Sequence, residues 1–348
     1  MGLFDRPLLS EESIFSNIES LDPDFVPKLL PHREEQQKYI ADCIAPLLKG
    51  YNGRNLLITG GPGVGKTACV KRVLQDLEES YDLPHVYVNC WKTSSSHKIL
   101  TEMAEQLGFK FTMNLSSEDL LRKIKKITKD ACVFVFDEID KAADYDFLYY
   151  ILEDFPKRSV ILITNDSYWL SRLDSRIRSR MIPEEMHFEA YSKEEIMDII
   201  RERIKYAFYE GVWTDEAIDL VVEKTAELSD LRVGIFLLKE SGLIAEQEAS
   251  RRVERRHCEK AAEKLKHFQK RDISELSEDE RLLVEIVRKH SGEISGNIYE
   301  IYVNAGGSKS QRTVERLLKK LQKKGIFELR PTGEGFKGKS TRIFFKGL

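Results

Sequence analysis

Asn55-Leu-Leu-Ile-Thr-Gly60-Gly-Pro-Gly-Val-Gly-Lys-Thr67 decides the fold. Asn55 to Thr59 reads as a short apolar strand. The loop behind it matches G-x-x-x-x-G-K-[ST] in full, and Ala68 to Glu79 reads as the helix that follows. Each part has a physical task. The glycines let backbone N–H groups curl around phosphate oxygens. A helix beginning near Lys66 aims the positive end of its dipole at the same point. Lys66 is then expected to reach the β- and γ-phosphates, and the Thr67 hydroxyl to ligate Mg²⁺. Gly61, Pro62, Gly63, Val64, Gly65, Lys66, Thr67 and Ala68 are the expected cradle for ATP or ADP.

Outward from that loop, strands and helices alternate. His85-Val-Tyr-Val-Asn-Cys90 reads as a strand and His97 to Leu107 as a helix. Ala131-Cys-Val-Phe-Val-Phe136 and Val160-Ile-Leu-Ile-Thr164 are continuous apolar runs, as in strands buried on both faces of a parallel sheet. An amphipathic helix is expected upstream, from Arg33 to Leu48. The pattern predicts an open α/β sheet. Val133-Phe-Val-Phe-Asp-Glu-Ile-Asp140 brings two acids to the sheet's C-terminal edge, beside the loop. Asp137 is placed to hold the magnesium shell with Thr67. Glu138 is placed to orient and deprotonate the attacking water. Asp140 reads as a helix cap or surface acid. Asn165, after the Val160–Thr164 strand, is the expected polar sensor of the γ-phosphate or the water.

Beyond Phe188 the strand signals stop. Lys193 to Phe208, Asp215 to Glu227 and Val233 to Arg251 read as three helices of a small α-helical domain. Arg251 to Arg271 mixes both charge signs and reads as solvated helix. A boundary is expected near Arg271-Asp-Ile-Ser274. Glu278 to His290, Gly296 to Val303 and Ser310 to Lys323 then read as helices. In the third, Val314, Leu317, Leu318 and Leu321 form one apolar stripe. Ser308 and Gln311 are candidates for a capping box at its start. Two short strands, Ile326 to Arg330 and Thr341 to Phe345, complete the winged-helix pattern.

The 348 residues are 41% hydrophobic and 32% charged, which suits a chain with substantial cores. No apolar run approaches the length that spans a bilayer, and the start lacks the long apolar region of a secretory signal. Arg6 stands where a myristoylation motif wants Ser or Thr. The five cysteines include no CxxC pair and read as reduced thiols in a cytoplasmic protein. Charge is unevenly spread. From Gly307 to Leu348 twelve Lys and Arg face three Glu, a surplus of nine positive charges in a chain whose net charge is −3. A basic tail on an acidic body predicts a polyanionic partner. Lys309, Arg312, Arg316, Lys319, Lys320 and Lys323 lie on or beside the third helix, off its apolar stripe. Lys337, Lys339 and Arg342 lie on the wing. The first group suits a major groove and the second suits phosphates or a minor groove.

P-loop, Asp-Glu strand and strand-Asn, followed by Ser175-Arg-Ile-Arg-Ser-Arg180, resemble an AAA+ ATPase. The likeness is closer still to the archaeal origin-recognition initiators, related to eukaryotic origin-recognition and cell-division-cycle-six proteins. Pro31-His-Arg-Glu34, Val88-Asn-Cys90, Phe188-Glu-Ala-Tyr191, Asp230-Leu-Arg232 and the winged-helix pattern carry it across nearly the whole chain. The resemblance implies an AAA+ P-loop α/β domain with a parallel sheet, an α-helical lid and a C-terminal winged-helix domain. The expected divisions are 1–189, 190–272 and 273–348. It implies that Tyr191 packs near the adenine and that Arg203 lies near the nucleotide. It implies that Arg232 reports on the γ-phosphate. Arg180, with Arg176 as the alternative, would act on a neighbour's ATP. The family's DNA-contacting insertion corresponds to Phe109 to Ser116, which is short and lacks the Pro-x-x-Gly character of that insertion. The implied activity is weak ATP hydrolysis that regulates binding to duplex DNA at replication origins. Implied partners are paralogous initiators and the replicative helicase, on the nucleoid and away from membranes. The rivals are a clamp loader or branch-migration motor, and a transcription or signalling switch.

Overall fold

The computed structural model describes residues 13–129, 131–274, 277–323, 326–331 and 341–345. They form two compact units, Met1–Lys260 and Ala261–Leu348.

The first unit is built on five parallel strands: β1 (Leu56–Gly60), β2 (His85–Asn89), β3 (Ala131–Asp137), β4 (Lys157–Ile163) and β5 (Glu184–Phe188). Their order across the sheet is β2-β3-β4-β1-β5. Alternation along the strands divides the sheet's two faces. Phe134, Phe136, Val160, Leu162 and Leu57 enter one core, and Val133, Val135, Ile161, Ile163, Leu56 and Ile58 enter the other. The second face is covered by α1 (Glu34–Leu48) and α2 (Lys66–Ser80). The first is covered by α3 (Ser96–Gln106), α4 (Ser117–Thr128) and α5 (Asp146–Asp154), with the short α6 (Trp169–Arg172) and α7 (Ser175–Met181) beside them. Fully burying a side chain such as Phe134 contributes about 2–3 kcal/mol.

Five elements here, α4 to α7 and β5, were not read from the sequence. β5 alternates partly buried and exposed residues, Glu184-Glu-Met-His-Phe188, as an edge strand can, so it shows no apolar run. α4 begins with a full capping box between Ser116 and Asp119, a signal that was there to be read.

The lid follows: α8 (Lys193–Ala207), α9 (Asp215–Leu228), α10 (Leu231–Gln247) and α11 (Arg255–Ser274). The reading of three helices after Phe188 agrees with α8 to α10. A Ser192–Glu195 capping box starts α8. The helices cross closely at Gly234, where a Cβ would lie 2.6 Å from Thr225 Oγ1 and 2.7 Å from Ile200. The N-terminal segment packs on this lid. Ile14, Phe15 and Leu21 are buried, and the Phe15 and Phe208 rings lie 4.6 Å apart.

The second unit contains α12 (Glu278–Lys289), α13 (Ser295–Asn304), α14 (Gln311–Lys323), β6 (Phe327–Pro331) and β7 (Thr341–Phe345). β6 and β7 pair antiparallel. This is the helix, helix, helix, hairpin order that the sequence suggested. Leu283, Val287, Ile298, Tyr302, Val314, Leu318, Leu321 and Ile343 form its core. α14 starts one residue after the expected Ser310. Ser310, not Ser308, precedes the helix, its hydroxyl 3.0 Å from that of Thr313. The five cysteines are buried and unpaired. Burial pushes their thiols up, to about 11 at Cys43 and about 12 at Cys69. Among the described residues no helix is long and apolar enough to cross a membrane.

Candidate functional site

The loop from Gly60 to Thr67 turns on left-handed glycines, Gly63 at φ +69° and Gly65 at φ +92°. Side chains are excluded there by space as well as by torsion. A Cβ on Gly63 would meet the Asp230 carboxylate, and one on Gly65 would lie 2.8 Å from Tyr191 Oη. Both neighbours come from the lid side, so lid and loop are in contact. Leu231 N–H, at the start of α10, donates to the Gly63 carbonyl at 3.3 Å.

The residues expected at the phosphate end converge. Lys66 Nζ donates to Gly60 O at 2.9 Å, Gly61 O at 2.6 Å and Asn165 Oδ1 at 2.8 Å. Burial lowers its pKa. Thr67 Oγ1 donates to Asp137 Oδ2 at 2.7 Å. Asn165 Nδ2 donates to the two Glu138 carboxylate oxygens at 3.4 and 3.3 Å. Glu138 lies in left-handed backbone, φ +53°. Burial raises its pKa first, and the Asp137 and Asp140 charges add to that. Asp140 is neither cap nor surface acid. It is nearly buried, accepts the Thr164 hydroxyl at 2.7 Å, and so ties the end of β3 to the end of β4.

The rest of the cavity is built by residues far apart in sequence. Phe25, Leu30, Pro62, Val64, Tyr191, Arg203 and Ile235 line it. Arg203 is buried, donates to Ser20 O at 2.9 Å, and lies 5.4 Å from the Phe25 ring centre. Burial pushes the Tyr191 hydroxyl up to about 12. Arg33 joins these parts. Its guanidinium lies 3.9 Å over the Tyr191 ring and donates to Val64 O, His32 O and Glu189 O. The sequence offered only Pro31-His-Arg-Glu34, with no sign of where Arg33 would point. The N-terminal segment supplies one wall through Phe25 and Leu30.

The lid arginine, Arg232, is exposed. Its guanidinium is paired with Asp230, with Nη2 2.6 Å from Oδ2. On α7, Arg176 is exposed and pairs with Asp174. Arg180 is bound to Glu153 and lies 5.3 Å from the Tyr149 ring centre.

In the second unit Arg312, Arg316 and Lys319 are exposed on α14. Lys320 instead reaches the buried Glu280 of α12 at 2.8 Å. Lys309 lies 3.7 Å from Asp279. Arg342 donates to Gly292 O at 2.9 Å. Lys337, Lys339 and the side chain of Lys323 lie outside the described residues.

Residues 49–164 match the AAA domain family, and residues 197–263 match the Cdc6 AAA+ ATPase-type lid domain. The ORC1-type DNA replication protein 1 of Sulfurisphaera tokodaii is 33% identical, covering 96% of this chain and 91% of its own length. The ORC1-type DNA replication protein 2 of Methanosarcina acetivorans is 32% identical, covering 97% and 94%. Among solved structures, the Aeropyrum pernix ORC1 protein in complex with DNA superposes with a TM-score of 0.70 at 26% identity, covering 97% of this chain and 95% of that one. The Thermotoga maritima RuvB branch-migration motor matches at a TM-score of 0.51 and 18% identity, covering 92% and 95%, a likeness of fold alone. The nucleotide-binding AAA+ core, its lid and the full-length relatives agree: the chain belongs to the family of ORC1-type DNA replication proteins, AAA+ ATPases with a Cdc6-type lid.

Proposed function

We propose that this chain is an ATP-operated switch that binds duplex DNA at replication origins and supports loading of the replicative helicase. One observation carries the switch: Lys66, Thr67, Asp137, Glu138 and Asn165 line a single cavity that Tyr191, Arg203 and Arg232 of the lid also line. Residues that act on phosphate and residues that can register its presence therefore share one site.

The roles follow from placement. Backbone amides of the loop and Lys66 bind the phosphates. The Thr67 hydroxyl and the Asp137 carboxylate, 2.7 Å apart, are hard oxygen donors, and two of them suit an ion that keeps waters and phosphate oxygens for its remaining positions. Bound there, Mg²⁺ supplies charge for the developing phosphate anion. Glu138 takes the proton of the attacking water, and Asn165 aligns it. Phe25 and Tyr191 pack the base. Arg232 leaves Asp230 for the γ-phosphate, which couples lid position to nucleotide. Arg180, or Arg176 in its place, reaches the nucleotide of a neighbouring initiator. Hydrolysis is slow and regulatory.

On this reading the chain divides at 189/190 and 272/273. The last part is a winged helix that docks α14 in a major groove through Arg312, Arg316 and Lys319. Lys309, Lys320, Lys323 and the wing residues Lys337, Lys339 and Arg342 add phosphate contacts, Lys320 and Arg342 after release from their present partners. The protein works in the cytoplasm, on the nucleoid. Replacing Arg312 and Arg316 with Ala is expected to weaken duplex binding about 10- to 100-fold and to lower the salt slope by about two. Fluorescence anisotropy over a salt series measures both. Unchanged affinity and slope would remove α14 from the interface. A footprint across the source genome with ATP and with ADP tests the larger claim, since promoters in place of origins would favour a transcription switch.

A further inference from the structure

Asp137 is held by more than Thr67. Its Oδ2 also accepts the Tyr87 hydroxyl at 2.5 Å, and its Oδ1 accepts the Glu138 N–H at 2.8 Å. The residue is buried, with 3% of its surface exposed. Tyr87 comes from β2, the edge strand, where it pairs with Val135 while Asn89 pairs with Asp137. Val86 and Val88 point into one core, so Tyr87 points to the other face, the α2 side. There the Lys71 ammonium lies 5.1 Å from its ring centre. Its backbone is fixed too. Tyr87 N–H donates to Gln106 Oε1 at 2.9 Å, and Gln106 Nε2 donates to Tyr87 O at 2.7 Å. Gln106 holds Tyr87, and Tyr87 holds Asp137.

We propose that Tyr87 is a positioning residue for the magnesium site. Its hydroxyl locks the Asp137 carboxylate with Oδ2 turned toward Thr67. A carboxylate end is otherwise soft about its last torsion. Hydrogen bonds to its charged form are strong and directional. Partners of this kind, one step removed from a metal, orient its ligands and hold the site ready. This inference rests on the reading of Asp137 as a magnesium-holding residue.

Tyr87→Phe removes one oxygen and keeps the ring. The test is titration of a fluorescent ADP analogue into the full chain, in EDTA and over a Mg²⁺ series, with Asp137→Ala alongside. In EDTA, Tyr87→Phe should bind like the parent. The Mg²⁺ concentration for half-maximal enhancement should rise about 10-fold in Tyr87→Phe and further in Asp137→Ala. A parental Mg²⁺ midpoint in Tyr87→Phe, with Asp137→Ala shifted, overturns the role of Tyr87 alone. An unshifted Asp137→Ala overturns the magnesium reading as well. Weakened binding of Tyr87→Phe in EDTA also overturns the proposal, because it means general distortion of the loop.

Discussion

Replacing Glu138 with Gln is expected to slow ATP turnover about 100-fold or more while leaving nucleotide affinity within about twofold. The substitution removes a proton acceptor and little else. Gln keeps the length of the side chain and an oxygen for the Asn165 amide, which now donates to the carboxylate at 3.3 Å. The loop, Lys66 and the Thr67–Asp137 pair are untouched. The raised pKa of Glu138 agrees with a base in a desolvated, acid-rich corner. Single-turnover hydrolysis and nucleotide titration on the same preparation separate the two quantities. Parental turnover would take the base role away from Glu138. A large loss of affinity would mean that the carboxylate organises the cradle.

Arg33→Ala is expected to destabilise the first unit by about 3 kcal/mol and to weaken adenine-nucleotide binding about 10-fold or more. Arg33 is only 5% exposed. Its loss strips the Val64 and Glu189 carbonyls of a buried donor and leaves a void beside the Tyr191 ring. Those carbonyls belong to the loop and to the entrance of the lid. Both walls of that part of the cavity therefore loosen together. Arg33→Lys should recover less than half of the loss, because one ammonium cannot span the acceptors that a planar fork reaches. Calorimetry should show a fall of roughly 6–12 °C in melting temperature. Parental melting and parental affinity would together show that the clamp does no work.

These two residues mark what the sequence could and could not disclose. The place of Glu138 was legible because it follows directly on an apolar strand. A buried strand ends, and the next side chains stand at the sheet's edge. The same holds for Lys66, Thr67, Asp137 and Asn165. Arg33 was not legible in this way. Its partners lie 31 and 156 positions away, and nothing local says that a charged side chain will be buried against carbonyls. Tyr87 looked like one more β-former in a strand, with Asp137 fifty positions ahead. The basic face of α14 was legible as a helical stripe. The recruitment of Lys320 by Glu280 was not, since that contact joins two helices. β5 was missed because an edge strand need not be apolar.

Gln106 also has a bearing on solubility. β2 ends the sheet, and an edge strand offers its outward N–H and C=O to any passing strand. At Tyr87 both are already taken, by the two ends of one amide side chain. A strand from another molecule would have to break both bonds before it could extend the ladder at that point. A single glutamine thus guards the β2 edge of the sheet at that point.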